Sequence, residues 1–94
     1  MKIESEKYLE RKLVKDVKDI GGWSLKLLST HITGLPDRIN LFPGGYIVFT
    51  EVKTTKRKPS KIQLSIHKKI RDLGFRVETI ETSEQIRNII RGYV

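Results

Sequence analysis

The stretch that decides the fold is Gly34-Leu35-Pro36-Asp37-Arg38-Ile39-Asn40-Leu41-Phe42-Pro43-Gly44-Gly45-Tyr46-Ile47-Val48-Phe49-Thr50-Glu51-Val52-Lys53. Its second half, residues 46–54, is rich in β-branched and aromatic side chains, which predicts a strand. Side chains two apart on a strand share a face. Glu51 and Lys53 therefore point the same way as Ile47 and Phe49. The turn Pro43-Gly44-Gly45 folds the preceding strand, residues 37–42, back antiparallel and brings Asp37 toward Glu51. Two carboxylates and an amine then converge at one end of an otherwise apolar strand face. Such a set can hold a hard divalent cation.

Gly34-x-Pro36-Asp37, then Glu51-x-Lys53, then Ser60-x-x-Gln63 resembles the PD-(D/E)xK nuclease signature. More narrowly, the chain is similar to the stand-alone VRR-NUC (virus-type replication-repair nuclease) domain. The resemblance spans nearly the whole chain, including an N-terminal helix that carries glutamates and ends at Gly21-Gly22. It implies a restriction-endonuclease-like α/β core. It also implies a magnesium site, with manganese as a substitute, held by Asp37, Glu51, the Val52 carbonyl and Glu10, the last directly or through water. Lys53 would orient or deprotonate the attacking water, and Gln63 would position water or the scissile phosphate. Glu10, Asp37, Glu51, Lys53 and Gln63 are thus the expected catalytic set. Glu6 is the reserve for Glu10, since both fall inside the apolar stripe of the first helix.

Composition agrees with a polyanionic partner. The chain has 94 residues, 19 Lys plus Arg against 11 Asp plus Glu, and a formal net charge of +8. That excess fits nucleic acid or an anionic membrane surface. The length suits one small domain, residues 1–94, and 37% hydrophobic residues give it a modest core that a partner subunit would help to complete. Cysteine is absent, which excludes disulfides and thiolate metal sites. No apolar run is long enough to span a bilayer, and the charged N-terminus has no signal-peptide pattern. These readings point to a soluble protein of the cytoplasm, the host's if the chain is viral, with no membrane partner.

Taken in order, Leu9, Leu13, Val17 and Ile20 predict an amphipathic helix over residues 3–20, stopped by Gly21-Gly22. Residues 23–28 form a first strand, on which Lys26 is a candidate phosphate contact. Residues 29–35 form a loop, and its His31 makes no zinc pattern with His67. Lys56, Arg57, Lys58 and Lys61 follow the expected catalytic strand directly and can reach phosphates flanking the cut; the plain alternative is a solvated charge run. Ile62, Ile66, Ile70 and Leu73 mark a helix over residues 60–73. Ser60-x-x-Gln63 also matches a capping box at its start, a purely structural use of Gln63. Residues 75–80 form a fourth strand, and a last helix starts at Thr82 with Ile86, Ile89 and Ile90 inward. The order α-β-β-β-α-β-α predicts a mixed four-stranded sheet flanked by helices, its fourth strand entering parallel through a crossover.

The leading functional expectation is a metal-dependent DNA endonuclease, selective for branched DNA such as four-way junctions and acting as a homodimer, as the resemblance implies. One alternative is a flap or nicking nuclease working with a replication or repair partner. Another is a catalytically silent basic DNA-binding module. Retention of Asp37, Glu51 and Lys53 together argues against the last, because binding alone favours fewer acids beside phosphates. Trp23 and the isoleucine-rich C-terminal helix are the expected subunit contacts.

Overall fold

The computed structural model describes residues 3–29, 31–54 and 57–94. The expected hairpin organises its sheet. Strands β2 (Arg38–Phe42) and β3 (Tyr46–Val52) pair antiparallel, in a register running from Arg38 opposite Thr50 to Phe42 opposite Tyr46. Gly44 and Gly45 make the turn at φ of 91° and 85°, a backbone region that L side chains rarely adopt. Strand β1 (Trp23–Lys26) adds antiparallel to the free edge of β2, with Trp23 opposite Leu41. Strand β4 (Arg76–Ile80) adds parallel to β3, with Phe49 opposite Val77. The sheet is therefore mixed, in the order β1-β2-β3-β4. Its helices are α1 (Glu6–Asp19), α2 (Lys61–Asp72) and α3 (Ser83–Arg91), and the chain visits the elements in the predicted order.

Register and the two-residue period of a strand sort the side chains onto two faces. Asn40, Phe42, Val48, Thr50, Val52 and Ile80 share one face. Asp37, Ile39, Phe49, Glu51, Val77 and Thr79 share the other. The first face carries the main core, in which Leu9, Leu13 and Val17 of α1 and Ile86 and Ile89 of α3 pack with Phe42, Val48, Val52 and Ile80. Tyr93 closes one end of it by stacking on Phe42, centroid to centroid 4.3 Å. Helix α2 packs against β4 and is tied to it by Arg71, which donates to the Val77 carbonyl at 2.7 Å. Gly34, at φ of 94°, lies so close to α2 that a Cβ there would stand 2.7 Å from Ile62 Cγ2. This contact seats the loop that delivers Asp37.

The element boundaries differ from expectation for local reasons. Helix α1 begins at Glu6 because Ser5 is its N-cap, accepting from the Tyr8 N–H at 3.0 Å. β1 stops at Lys26, although the Leu27 N–H still reaches the Asp37 carbonyl at 2.8 Å. The inward face of α2 is also corrected. Ile62 and Leu73 are exposed, and the fully buried side chain of this helix is His67. In α3 the expected inward residues Ile86 and Ile89 are buried, so they are used inside the subunit and are not free for a partner. Among the described residues no helix is long and apolar enough to cross a membrane.

Candidate active site

Asp37 immediately precedes β2, and continuing the register sets it opposite Glu51. The Asp37 carboxylate lies close enough for its charge to act on Glu51. Asp37 Oδ2 also accepts the Val52 N–H at 3.1 Å, which locks its side chain against β3. Lys53 Nζ stands 3.6 Å from Glu51 Oε2. The Lys53 backbone holds this geometry, since its N–H donates to the Ile80 carbonyl at 2.9 Å and extends the β3–β4 pairing past Val52. Two carboxylates and one amine are therefore gathered at one end of one sheet face.

Glu51 is the unusual member. It is 1% exposed, and its Oε1 has no hydrogen-bond partner. A buried carboxylate oxygen without a partner is costly. Burial, and then the charge of Asp37, push the Glu51 carboxyl up to about 7, against the opposing pull of the Lys53 ammonium. A cation seated between Asp37 and Glu51 would remove both penalties, so the donor set fits a hard divalent ion. Among the described residues no group of three His, Asp or Glu side chains is gathered closely enough to hold a metal. A main-chain oxygen could supply a further protein ligand at this pair. The Val52 carbonyl qualifies, because the N–H and C=O of one strand residue leave on the same side, and the Val52 N–H points at Asp37.

The remaining expected residues are distributed as follows. Glu10 is not brought to the pair. It accepts from Arg38, Nε at 3.1 Å and the terminal nitrogen at 3.0 Å, on the sheet face that α1 covers. Among the described residues Glu10 is thus held by Arg38 and is not gathered with Asp37 and Glu51. Glu6, its reserve, accepts the Thr54 N–H at 3.2 Å and pairs with Arg57. Gln63 completes the capping box of α2, with Oε1 accepting the Ser60 N–H at 2.8 Å and the Gln63 N–H reaching Ser60 Oγ at 3.2 Å. The Gln63 Nε2 amide is not used by that cap. Of the basic loop, Arg57 pairs with Glu6, and Lys58 lies 3.9 Å from Glu81. Lys61 is exposed at the first position of α2, Lys26 is exposed on β1, and Lys56 lies outside the described residues. His31 is exposed in its loop.

Two further residues stand beside the pair or its neighbours without an expected role. His67 is fully buried, and neither ring nitrogen has a hydrogen-bond partner. Its pKa is lowered by burial and by the charge of Arg71, while Asp37 pulls the other way. One signal was available: His67 lies four residues after Gln63 and so on the same helix face. Arg38 is the other. It directly follows Asp37, but strand parity turns it to the opposite face, where it meets Glu10.

A scan against models of protein families finds no match. Individual proteins do match. A protein named "Putative nuclease p44", from Acyrthosiphon pisum secondary endosymbiont phage 1, is 34% identical over 84 residues, covering 89% of this chain and 90% of the relative. A solved structure described as a VRR_NUC domain superposes with a TM-score of 0.86, over 95% of this chain and 97% of its own, at 29% identity. The chain belongs to the VRR-NUC family of nuclease domains and has their restriction-endonuclease-like fold.

Proposed function

We propose that the chain acts as one divalent-metal-dependent endonuclease domain that hydrolyses DNA phosphodiester bonds, working as a homodimer on branched DNA in the cytoplasm. The observation that carries this reading is the buried, unpartnered oxygen of Glu51 beside Asp37. A protein without an ion to bind gains nothing from that cost. Membership in a nuclease family adds the reaction class.

Asp37, Glu51 and the Val52 carbonyl would hold the ion, magnesium or manganese. When bound, it supplies a Lewis acid and neutralises charge on the phosphate. Lys53 is anchored beside Glu51 and orients the attacking water while offsetting phosphate charge. Gln63 donates from Nε2 to water or phosphate while its Oε1 keeps the cap. Glu10, held by Arg38, would reach the ion through water. Lys26, Arg57, Lys58 and Lys61 meet the flanking backbone. For the subunit contact, Trp23 is 65% exposed on the sheet face opposite α1 and is available to a second copy.

The test is a panel of labelled linear, flap and four-way-junction DNAs, with and without magnesium, together with the solution mass of the protein. Magnesium-dependent cutting that is strongest on the junction, by a dimer, is the expected result. Absence of metal-dependent cutting on every substrate would overturn the hydrolase reading. Preferential cutting of the flap would replace the junction with a flap or nicking role.

A further inference from the structure

Helix α1 carries a line of cations on the side away from the core. At 3.6 residues per turn, Lys7, Arg11, Val14 and Lys18 fall within about 60° of arc. They line a groove of about 540 Å³ whose inner wall is the Glu10–Arg38 ion pair. Lys15, which also lines it, is paired with Asp19. Lys7, Arg11 and Lys18 have no ion-pair partner among the described residues. This is the reverse of the loop after β3, where Arg57 and Lys58 both face acids. The acids of α1 do not offset the line either: Asp16 is held by Lys12, and Asp19 by Lys15.

The line starts at the catalytic end of the sheet and leads away from it. Near its start, Glu6 holds the Thr54 N–H, one residue beyond Lys53, and Arg38 directly follows Asp37. At its far end, Gly21 lies against Pro43 of the hairpin turn. From Lys7 to Lys18 the helix rises about 16 Å, which matches roughly five phosphates of one DNA strand at ~3.4 Å each. The groove also lies on the opposite face of the sheet from Asp37 and Glu51. A straight duplex seated at the carboxylates does not run along α1, whereas an arm that turns around the sheet edge does.

We infer that the α1 groove is a phosphate-backbone site for a DNA arm leaving the cleavage centre, contacted by Lys7, Arg11 and Lys18. The inference rests on the nuclease reading above and gives a physical basis for a preference for bent or branched DNA. Three such contacts account for roughly 2.7 units of the slope of log K against log salt.

The test compares wild type with the triple variant Lys7→Gln, Arg11→Gln, Lys18→Gln, in which glutamine keeps the helix propensity. Binding to a four-way junction and to a linear duplex is titrated across salt in chelator, with circular dichroism confirming the fold. The expected result is a junction slope shallower by two to three units (about 0.9 per lost contact) and a smaller change on the linear duplex. An unchanged junction slope in the folded variant would overturn the groove while leaving the nuclease reading intact. Wild type that binds DNA but never cuts it with magnesium would overturn the nuclease reading, and the slope would still decide the groove. Wild type that binds no DNA would overturn both. If the triple variant unfolds, Arg11→Gln alone is read in the same way, with a loss of about one unit expected.

Discussion

Asp37 and Glu51 stand opposite one another at the open end of the β2–β3 hairpin, where the charge of Asp37 helps to hold the buried Glu51 carboxyl protonated. The pair links stability to pH in a direction opposite to an ordinary salt-bridged acid. Glu51 is raised from 4.5 to about 7 in the folded chain. Between those values the folded state therefore holds more protons than the unfolded state, and stability falls as pH rises through the window.

In chelator, wild type should lose stability relative to Glu51→Gln as pH rises from about 4.5 to about 7, by something on the order of 3 kcal/mol. Excess magnesium should restore wild type, since an ion bound only by the folded state stabilises it. Glu51→Gln should lose the magnesium response. Denaturant midpoints across pH, with and without metal, measure all of this. A wild-type-minus-variant difference that stays flat across the window would remove the ion-binding explanation of the buried oxygen.

Asp37 has two tasks that different substitutions separate. Its Oδ2 holds the Val52 N–H at 3.1 Å. Asparagine keeps an acceptor there, whereas alanine leaves a buried donor unpaired, at a cost of about 1–3 kcal/mol. Asp37→Asn should therefore melt close to wild type, and Asp37→Ala clearly lower. Both should fail to cut DNA with magnesium. Lys53→Met should fold and lower the cleavage rate by roughly 10²–10⁴-fold, the usual contribution of a positioned proton-transfer group. Undiminished cutting by Asp37→Asn would remove Asp37 from the ligand set.

The fold was legible because each element carries a local signal. The period of Leu9, Leu13 and Val17, the glycines of the hairpin turn and the caps at Ser60 and Thr82 all report on nearby backbone. The carboxylate pair was legible for the same reason: a tight turn fixes register, and register alone sets Asp37 against Glu51. Glu10 was not. Its position in the apolar stripe says only that it faces inward, and whether it meets an ion or an arginine depends on strand parity at Arg38, across the chain. Helix α2 failed in a similar way. Ile62 and Leu73 have helical spacing, but α2 meets the sheet mainly along β4, so its buried centre falls at His67 and leaves those apolar ends exposed.

Gln63 offers a cleaner separation of roles than the capping box implies. Glutamate reproduces the Oε1 acceptor that takes the Ser60 N–H, and it suits the first turn of a helix. It lacks the Nε2 donor and places a negative charge near the substrate phosphate. Gln63→Glu should therefore keep the thermal midpoint of wild type while slowing magnesium-dependent cutting. Gln63→Ala should lose some stability as well, because the Ser60 N–H loses its side-chain acceptor. Full activity in Gln63→Glu would reduce this residue to a helix cap.

His67 gives a prediction of opposite sign to Glu51, and the contrast makes each readable in the presence of the other. Burial and Arg71 lower its pKa from 6.5. Below 6.5 the unfolded chain therefore gains a proton that the folded chain resists, and stability drains away as pH falls. His67→Leu removes the titrating ring together with two unpaired nitrogens. Replacing an unsatisfied buried polar group by an apolar one of similar size costs little or stabilises. The variant should be at least as stable as wild type at pH 8, and its advantage should widen as pH drops below 6.5. Glu51→Gln shows its largest advantage over wild type at the other end, above pH 7. Denaturant unfolding of the three proteins in chelator at pH 5, 6.5 and 8 checks both. A His67→Leu advantage that stays constant across that range would mean that the ring is not held neutral by its surroundings.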